Sequence, residues 1–320
     1  FERDSFYGKL DIPFNADTKL LLTTGYSDPH LNLGEYIEDP PETGPTVTRV
    51  FFTTAAFSAG LTDELTLEAN YYEFRQKFAF ETNDLFSGEL HYGNIDEEKS
   101  RGASAKLIWT HDIHNALIGW DISHGKDDHR QDYGIIYGGP LTVTEHPGIS
   151  KWAVFANDTI SIGDLSLTPA IRYDNNNVNG DFTSPSLGAT YKLGSRTLFR
   201  ASVAKGFTNV PLVLIAGSDS FKPERVWSYQ AGVESRVTDY LSARGSLFHH
   251  DMKDFIIYDD TALKYVNKGD SKRTGMELEV ETIPIYNTSL KAGFSYVRNK
   301  VTPDDILAGL DPNLDTTKTI

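Results

Sequence analysis

The sequence predicts an all-β protein, an antiparallel up-and-down β-barrel wall that crosses a membrane. Three observations carry this: stretches of roughly ten residues that are apolar on alternate positions, connections that switch between very short and very long, and charges gathered on the face opposite the apolar one. The chain has 320 residues, no cysteine and a formal net charge of -15. Its mean hydropathy is negative. A helical span needs about 20 consecutive apolar residues, and the longest apolar run, Val210 to Ala216, is short and contains Pro211. A barrel escapes that requirement because only every second residue meets lipid.

Strands are predicted near 4–14, 18–27, 46–59, 64–82, 100–111, 115–124, 151–162, 165–174, 182–193, 196–206, 224–237, 240–258, 264–283 and 287–301. The turn between the first two, Asn15-Ala16-Asp17, carries residues suited to a tight hairpin, as do Gly60 to Asp63, Asp112 to His114, Gly163-Asp164, Gly194-Ser195, Thr238-Asp239 and Tyr286-Asn287. Alternation identifies the strands themselves. Leu165, Leu167, Ile171 and Tyr173 oppose Ser166, Thr168, Ala170 and Arg172; Trp227, Tyr229, Ala231 and Val233 oppose Ser228, Gln230, Gly232 and Glu234. Met276, Leu278 and Val280 oppose Glu277, Glu279 and Glu281, and Leu290, Ala292, Phe294 and Tyr296 oppose Lys291, Gly293 and Ser295. Successive strand side chains point to opposite faces.

Arg200, Glu234, Arg244, Glu277, Glu279 and Lys291 therefore share the polar face and are predicted to point into a wet lumen. A small dry core would not accept them, since each unpaired buried charge costs several kcal/mol. The apolar set, Trp227, Tyr229, Val233, Leu278, Val280, Phe294 and Tyr296, is predicted to face lipid, with Trp152, Trp227 and Tyr229 in an interfacial girdle. The long connections 28–45, 83–99, 125–150 and 207–223 collect proline, histidine and acids. They are the predicted external loops and the candidate ligand-binding region, with Tyr36 in the first and Asp127, Asp128, His129, Arg130, Tyr133 and Tyr137 in the third. Asp28, His30, Glu38 and Asp39 belong to the same set. Aromatic rings and Arg suit flat or anionic chelates, and the carboxylates would suit Ca²⁺. No other cofactor, metal or catalytic residue is predicted: His249-His250 and His111/His114 lack a third ligand at metal-site spacing. Acidity argues against nucleic acid.

Over residues 151–301 the sequence resembles the barrel of TonB-dependent outer-membrane receptors. The resemblance rests on Arg196 to Pro211 with its Gly206-Phe207-x-x-Pro211 turn, on Lys222-Pro223-Glu224, and on Trp227 to Glu234. It extends to Ser246–Ile256, Tyr265–Gly269 and Thr274–Glu277, and back to Trp152–Asp158, Thr168–Asp174 and Ser184–Gly188. Residues 1–150 match by strand rhythm alone. The resemblance implies a bacterial outer-membrane receptor that takes up a scarce ligand such as a ferric siderophore, cobalamin or haem, with outer-membrane lipid and the TonB complex as partners and no enzymatic activity. It also implies that residues 1–320 are a barrel fragment of about 14 strands out of roughly 22. The plug domain, and the TonB contact that precedes it, are expected in a missing N-terminal region. A passive porin, or a soluble carbohydrate-binding or adhesin β-protein, are the alternative readings.

Overall fold

The computed structural model describes residues 2–32, 42–211, 214, 221–259, 264–267, 269–284 and 288–302. Tyr36, Glu38, Asp39 and the Tyr286-Asn287 turn lie outside them. The strands are β1 (Glu2–Pro13), β2 (Thr18–Asn32), β3 (Glu42–Thr43), β4 (Pro45–Gly60), β5 (Leu65–Asp84), β6 (Leu90–His111), β7 (His114–Tyr133), β8 (Leu141–Glu145) and β9 (Gly148–Ile162). They continue with β10 (Leu165–Asn176), β11 (Gly180–Leu193), β12 (Thr197–Thr208), β13 (Glu224–Arg236), β14 (Leu241–Lys253), β15 (Ile256–Asp259), β16 (Lys264–Asn267), β17 (Asp270–Thr282) and β18 (Lys291–Thr302).

Fourteen of these form one sheet in the order β1-β2-β4-β5-β6-β7-β9-β10-β11-β12-β13-β14-β17-β18, each antiparallel to the next. Every wall strand between β1 and β18 therefore pairs with the wall strands before and after it in sequence, as an up-and-down wall requires. Two strands attach at its margin, β3 to β5 and β8 to β7, while β15 and β16 make a separate hairpin. Tight turns set the register on one rim. Gly163 and Gly194 adopt φ of 58° and 62°, a region open to glycine without steric cost, and their hairpins close as Ile162↔Leu165 and Leu193↔Thr197.

Two of the predicted loops are largely strand. Residues 90–99 belong to β6, and residues 125–133 extend β7, which then pairs with β8. Likewise β2 runs on to Asn32 and β12 through Gly206 to Thr208. The reason is that Asp96, Glu97, Glu98 and Lys99 put charge on both faces, which erases the alternation that marks a strand. Where both faces are wet, backbone pairing holds the strand without a greasy side. Cross-strand ion pairs accompany it, Lys77 Nζ to Glu97 Oε1 at 2.7 Å and Lys99 Nζ to Asp128 Oδ2 at 3.7 Å. The predicted strands 240–258 and 264–283 are each divided as well. Asp254 turns the chain at φ 60° and Gly269 at φ 103°, which splits the β15–β16 hairpin from the wall.

No second layer covers this sheet among the described residues, whose buried apolar side chains are Ala59, Ile149, Ala153, Phe182, Val210 and Phe221. Cohesion comes from the ladder and from cross-strand pairs. A recurring pair sets an aromatic ring over a glycine directly opposite it: Phe52 on Gly25, Tyr72 on Gly102, Phe155 on Gly119 and Phe248 on Gly275. A Cβ on any of the four glycines would fall within 2.6 Å of the ring. At Gly275 it would also meet the Tyr296 carbonyl oxygen at 2.6 Å, whereas at Gly293 the nearest atom is 3.8 Å away. Gly275→Ala is therefore expected to destabilise the folded barrel by about 1–3 kcal/mol through overpacking, and Gly293→Ala by less than about 0.5 kcal/mol. Urea midpoints of the refolded protein in lipid vesicles would measure both, and equal midpoints would refute the close-packing account.

Candidate functional site

Pairing register divides the wall into two chemically distinct faces. On one lie Ile118, Trp120, Ile122, Trp152, Val154, Ile171, Leu187, Phe199, Trp227, Tyr229, Val233, Leu278, Val280, Phe294 and Tyr296, each more than a third exposed. Trp227 stacks on Tyr229 at 6.2 Å between centroids, and Trp152 packs on Tyr173 at 5.6 Å. On the other face lie the charges. Glu68 pairs with Lys106 (2.9 Å), Asp121 with Arg172 (2.5 Å), Arg200 with Glu234 (2.9 Å), and Glu279 with both Arg244 and Lys291 (3.1 Å each). Glu277 accepts a long hydrogen bond from Ser246 Oγ at 3.5 Å. Exposed pairs of this kind contribute little stability, about 0–1 kcal/mol each. Their effect is to leave a hydrated wall with little net charge.

All six charged residues predicted from the alternation lie on this polar face. Arg200, Arg244, Glu277 and Glu279, with His250 and Arg273, line a concavity of about 1240 Å³.

The six candidate ligand residues that are described are divided between the two faces and a turn. Asp127, His129 and Tyr133 lie on the polar face of β7, Asp128 and Arg130 on the opposite face, and Tyr137 stands exposed on a short 3-10 turn, Ile135–Tyr137. Tyr36 is outside the described residues. The split follows from strand geometry, since neighbours in a strand cannot share a face. Arg130 turns to Asp132 (2.9 Å) and Asp128 to His146 (2.9 Å). The His146 hydrogen bond holds the Asp128 carboxyl below the usual carboxylate range.

Strand pairing gives Asp127, His129 and Tyr133 partners that alternation in the sequence did not reveal. Asp96 lies directly across from His129, Glu98 across from Asp127, and Tyr92 across from Tyr133. Phe78 faces Asp96 from β5. The rings of Phe78, Phe80, Tyr92 and Tyr133 form a ladder with centroid spacings of 5.8, 5.5 and 5.3 Å. An acidic and imidazole cluster thus adjoins an aromatic strip on the same face. Asp127 and His129 are buried. Burial, and then the charge of Asp96, push the Asp127 carboxyl above its ordinary value. The only sequence signal for the strip was the spacing of Phe78 and Phe80, two apart on one strand.

Glu224 and Asn267 fasten the separate hairpin to the wall. Asn267 Nδ2 donates to the carbonyls of Lys222 and Asp254 (2.8 Å each), its Oδ1 accepts from the Lys222 amide (2.7 Å), and Glu224 Oε1 accepts from the Ile256 amide (2.9 Å). The Lys222-Pro223-Glu224 element is a structural clasp at the start of β13.

Comparison with known proteins adds the family. The family model described as TonB dependent receptor-like, beta-barrel, matches residues 2–318. Among solved structures, the copper transporter OprC superposes with a TM-score of 0.74 at 15% identity, over 93% of this chain and 52% of that one. The ferric citrate transporter FecA in its unliganded form gives 0.72 at 14% identity, over 93% and 52%. The FrpB iron transporter from Neisseria meningitidis (F5-1 variant) gives 0.74 at 15% identity, over 98% and 55%. The chain spans about half the length of these structures. At such identity the likeness is one of fold.

Proposed function

Because this chain belongs to the TonB-dependent receptor β-barrel family, whose members reside in the outer membrane of Gram-negative bacteria, we propose that it is the wall of a receptor for active uptake of a scarce ligand. Ferric siderophores, haem and cobalamin are the ligand classes under this reading, and TonB supplies the energy. The apolar face meets lipid and the polar face lines the lumen. No covalent chemistry is required of any residue.

The observation that carries the reading is the continuity of the polar face. The same face that holds the paired charges through the membrane rises, on β5, β6 and β7, into the aromatic strip and the Asp96, Asp127, His129 cluster. A ligand caught at the outer end therefore meets an uninterrupted hydrated surface leading inward. A row of aromatic rings suits the flat or aromatic parts of metal chelates, and Arg and Lys in the lumen suit their anionic groups.

Tyr92→Ala combined with Tyr133→Ala is expected to weaken surface binding of the cognate chelate by about 2 kcal/mol, roughly thirtyfold in Kd. Cells carrying the full-length receptor would be titrated with radiolabelled ferric chelates, haemin and cyanocobalamin. Heat-modifiable migration on a gel would check that the barrel is folded. Unchanged affinity in a folded double variant would move the site away from this strip.

A further inference from the structure

We propose that Asp96, Asp127 and His129 form a binding site for one divalent transition-metal cation of the zinc type, built on the paired strands β6 and β7. This does not depend on the transport reading, because it concerns side chains of the wall itself.

Register brings the three together. Asp96 is directly opposite His129, and Asp127 is the next residue on the same face of β7. One ligand atom from each lies within 4.8 Å of the other two. Ligand atoms around one cation bonded at about 2.0–2.2 Å stand roughly 3.4 Å apart, so the Asp127 oxygen would move inward while Asp96 Oδ1 and His129 Nδ1, already in hydrogen-bond contact, would part by a small side-chain movement.

Proximity alone would describe many acidic surfaces, but Asp127 adds a separate indication. The residue is 6% exposed, and its Oδ1 is buried with no hydrogen-bond partner. A carboxylate oxygen shut away from water without a donor is costly. Its directly paired neighbour is Glu98, a second carboxylate, so nothing across the ladder offsets the charge. A cation does. His129, 4% exposed, has its Nδ1 against Asp96 Oδ1, and a metal would take the place of the proton those two atoms share.

The donor set decides the class of ion. Sites for calcium and magnesium are built from oxygen ligands alone, whereas an imidazole beside carboxylates suits zinc and its first-row neighbours. Glu145 of β8 lies directly opposite His129 and is positioned by register to offer a further oxygen. Coordination would then tie three strands together at the outer end of the wall, where lipid no longer supports them.

The test uses the full-length receptor in detergent, stripped with chelator and dialysed against zinc chloride or, separately, calcium chloride. Wild type is expected to bind a zinc ion whose affinity falls by roughly tenfold or more in Asp127→Asn and in His129→Gln, with heat-modifiability retained. Zinc-edge anomalous diffraction from wild-type crystals should place a peak between Asp127 and His129, a result that does not rely on the variants folding. Equal zinc affinity in wild type and a folded Asp127→Asn, anomalous peaks only elsewhere, or calcium binding without zinc binding would each overturn the proposal.

Discussion

Leu278→Arg is expected to abolish assembly of the barrel, while Glu277→Arg, one residue earlier, leaves it folded. Leu278 lies on the apolar face, 51% exposed, between Gly245 of β14 and Phe294 of β18. It stands four residues from the end of β17, about 14 Å along the strand at roughly 3.4 Å per residue and roughly 10 Å in height at a tilt of about 45°, which sets it well inside an apolar band about 25 Å tall. Arginine at such a depth costs about 2–4 kcal/mol, a large share of the roughly 5–15 kcal/mol that separates folded from unfolded proteins. Glu277 projects from the opposite face, where its contact is Ser246 and where water solvates a new cation. Folding yield into vesicles, read as the heat-modifiable band, would separate the two. Equal loss in both variants would mean that the faces are assigned wrongly.

In a strain without TonB, cells carrying the full-length receptor are expected to bind ligand at the surface as before but to accumulate none above the empty-vector level. The polar face is a fixed wall of paired charges, and a wall can guide a ligand without driving it. No ion gradient stands across the outer membrane to supply that work locally. Surface binding at low temperature and accumulation at growth temperature, measured on the same cells, separate the two steps. Accumulation that persists without TonB would make the chain a passive diffusion pore.

Much of the wall was legible in the sequence because membrane burial imposes a two-residue period. Trp227 to Glu234 and Met276 to Glu281 display it plainly, and the order of the fourteen wall strands followed from it together with the turn residues at Gly163, Gly194 and Asp112. What the period could not reveal lies where lipid ceases to act. The extensions of β6 and β7 carry charges on both faces, so Asp96 and Asp127 read as loop residues and their shared face was hidden. The same geometry divides the candidate residues of β7. Asp127, Asp128, His129 and Arg130 are consecutive and look like one cluster, yet a strand sends alternate members to opposite sides. Pairing between Asp96 and His129, or Tyr92 and Tyr133, joins residues far apart in the chain and is set by register alone. The break at Asp254 was equally invisible, since one left-handed residue in a polar stretch leaves no periodic trace.

The tallest part of the wall, β5 to β7, consists of strands of 20 to 22 residues, while a crossing takes about 9–11. On these three strands, what extends past a crossing is therefore in large part ordered ladder rather than loop. That restricts how its surface can evolve under pressure from antibodies or bacteriophage. An insertion of one residue in a loop shifts nothing else, but an insertion within paired strands would turn every later side chain onto the other face. On β5 to β7, length variation between related strains should accordingly fall at the tips 85–89 and 134–140, where Phe86 and Tyr137 stand exposed. Along the ladder itself, change should come as substitution, with cross-strand partners such as Lys77 and Glu97 exchanging together.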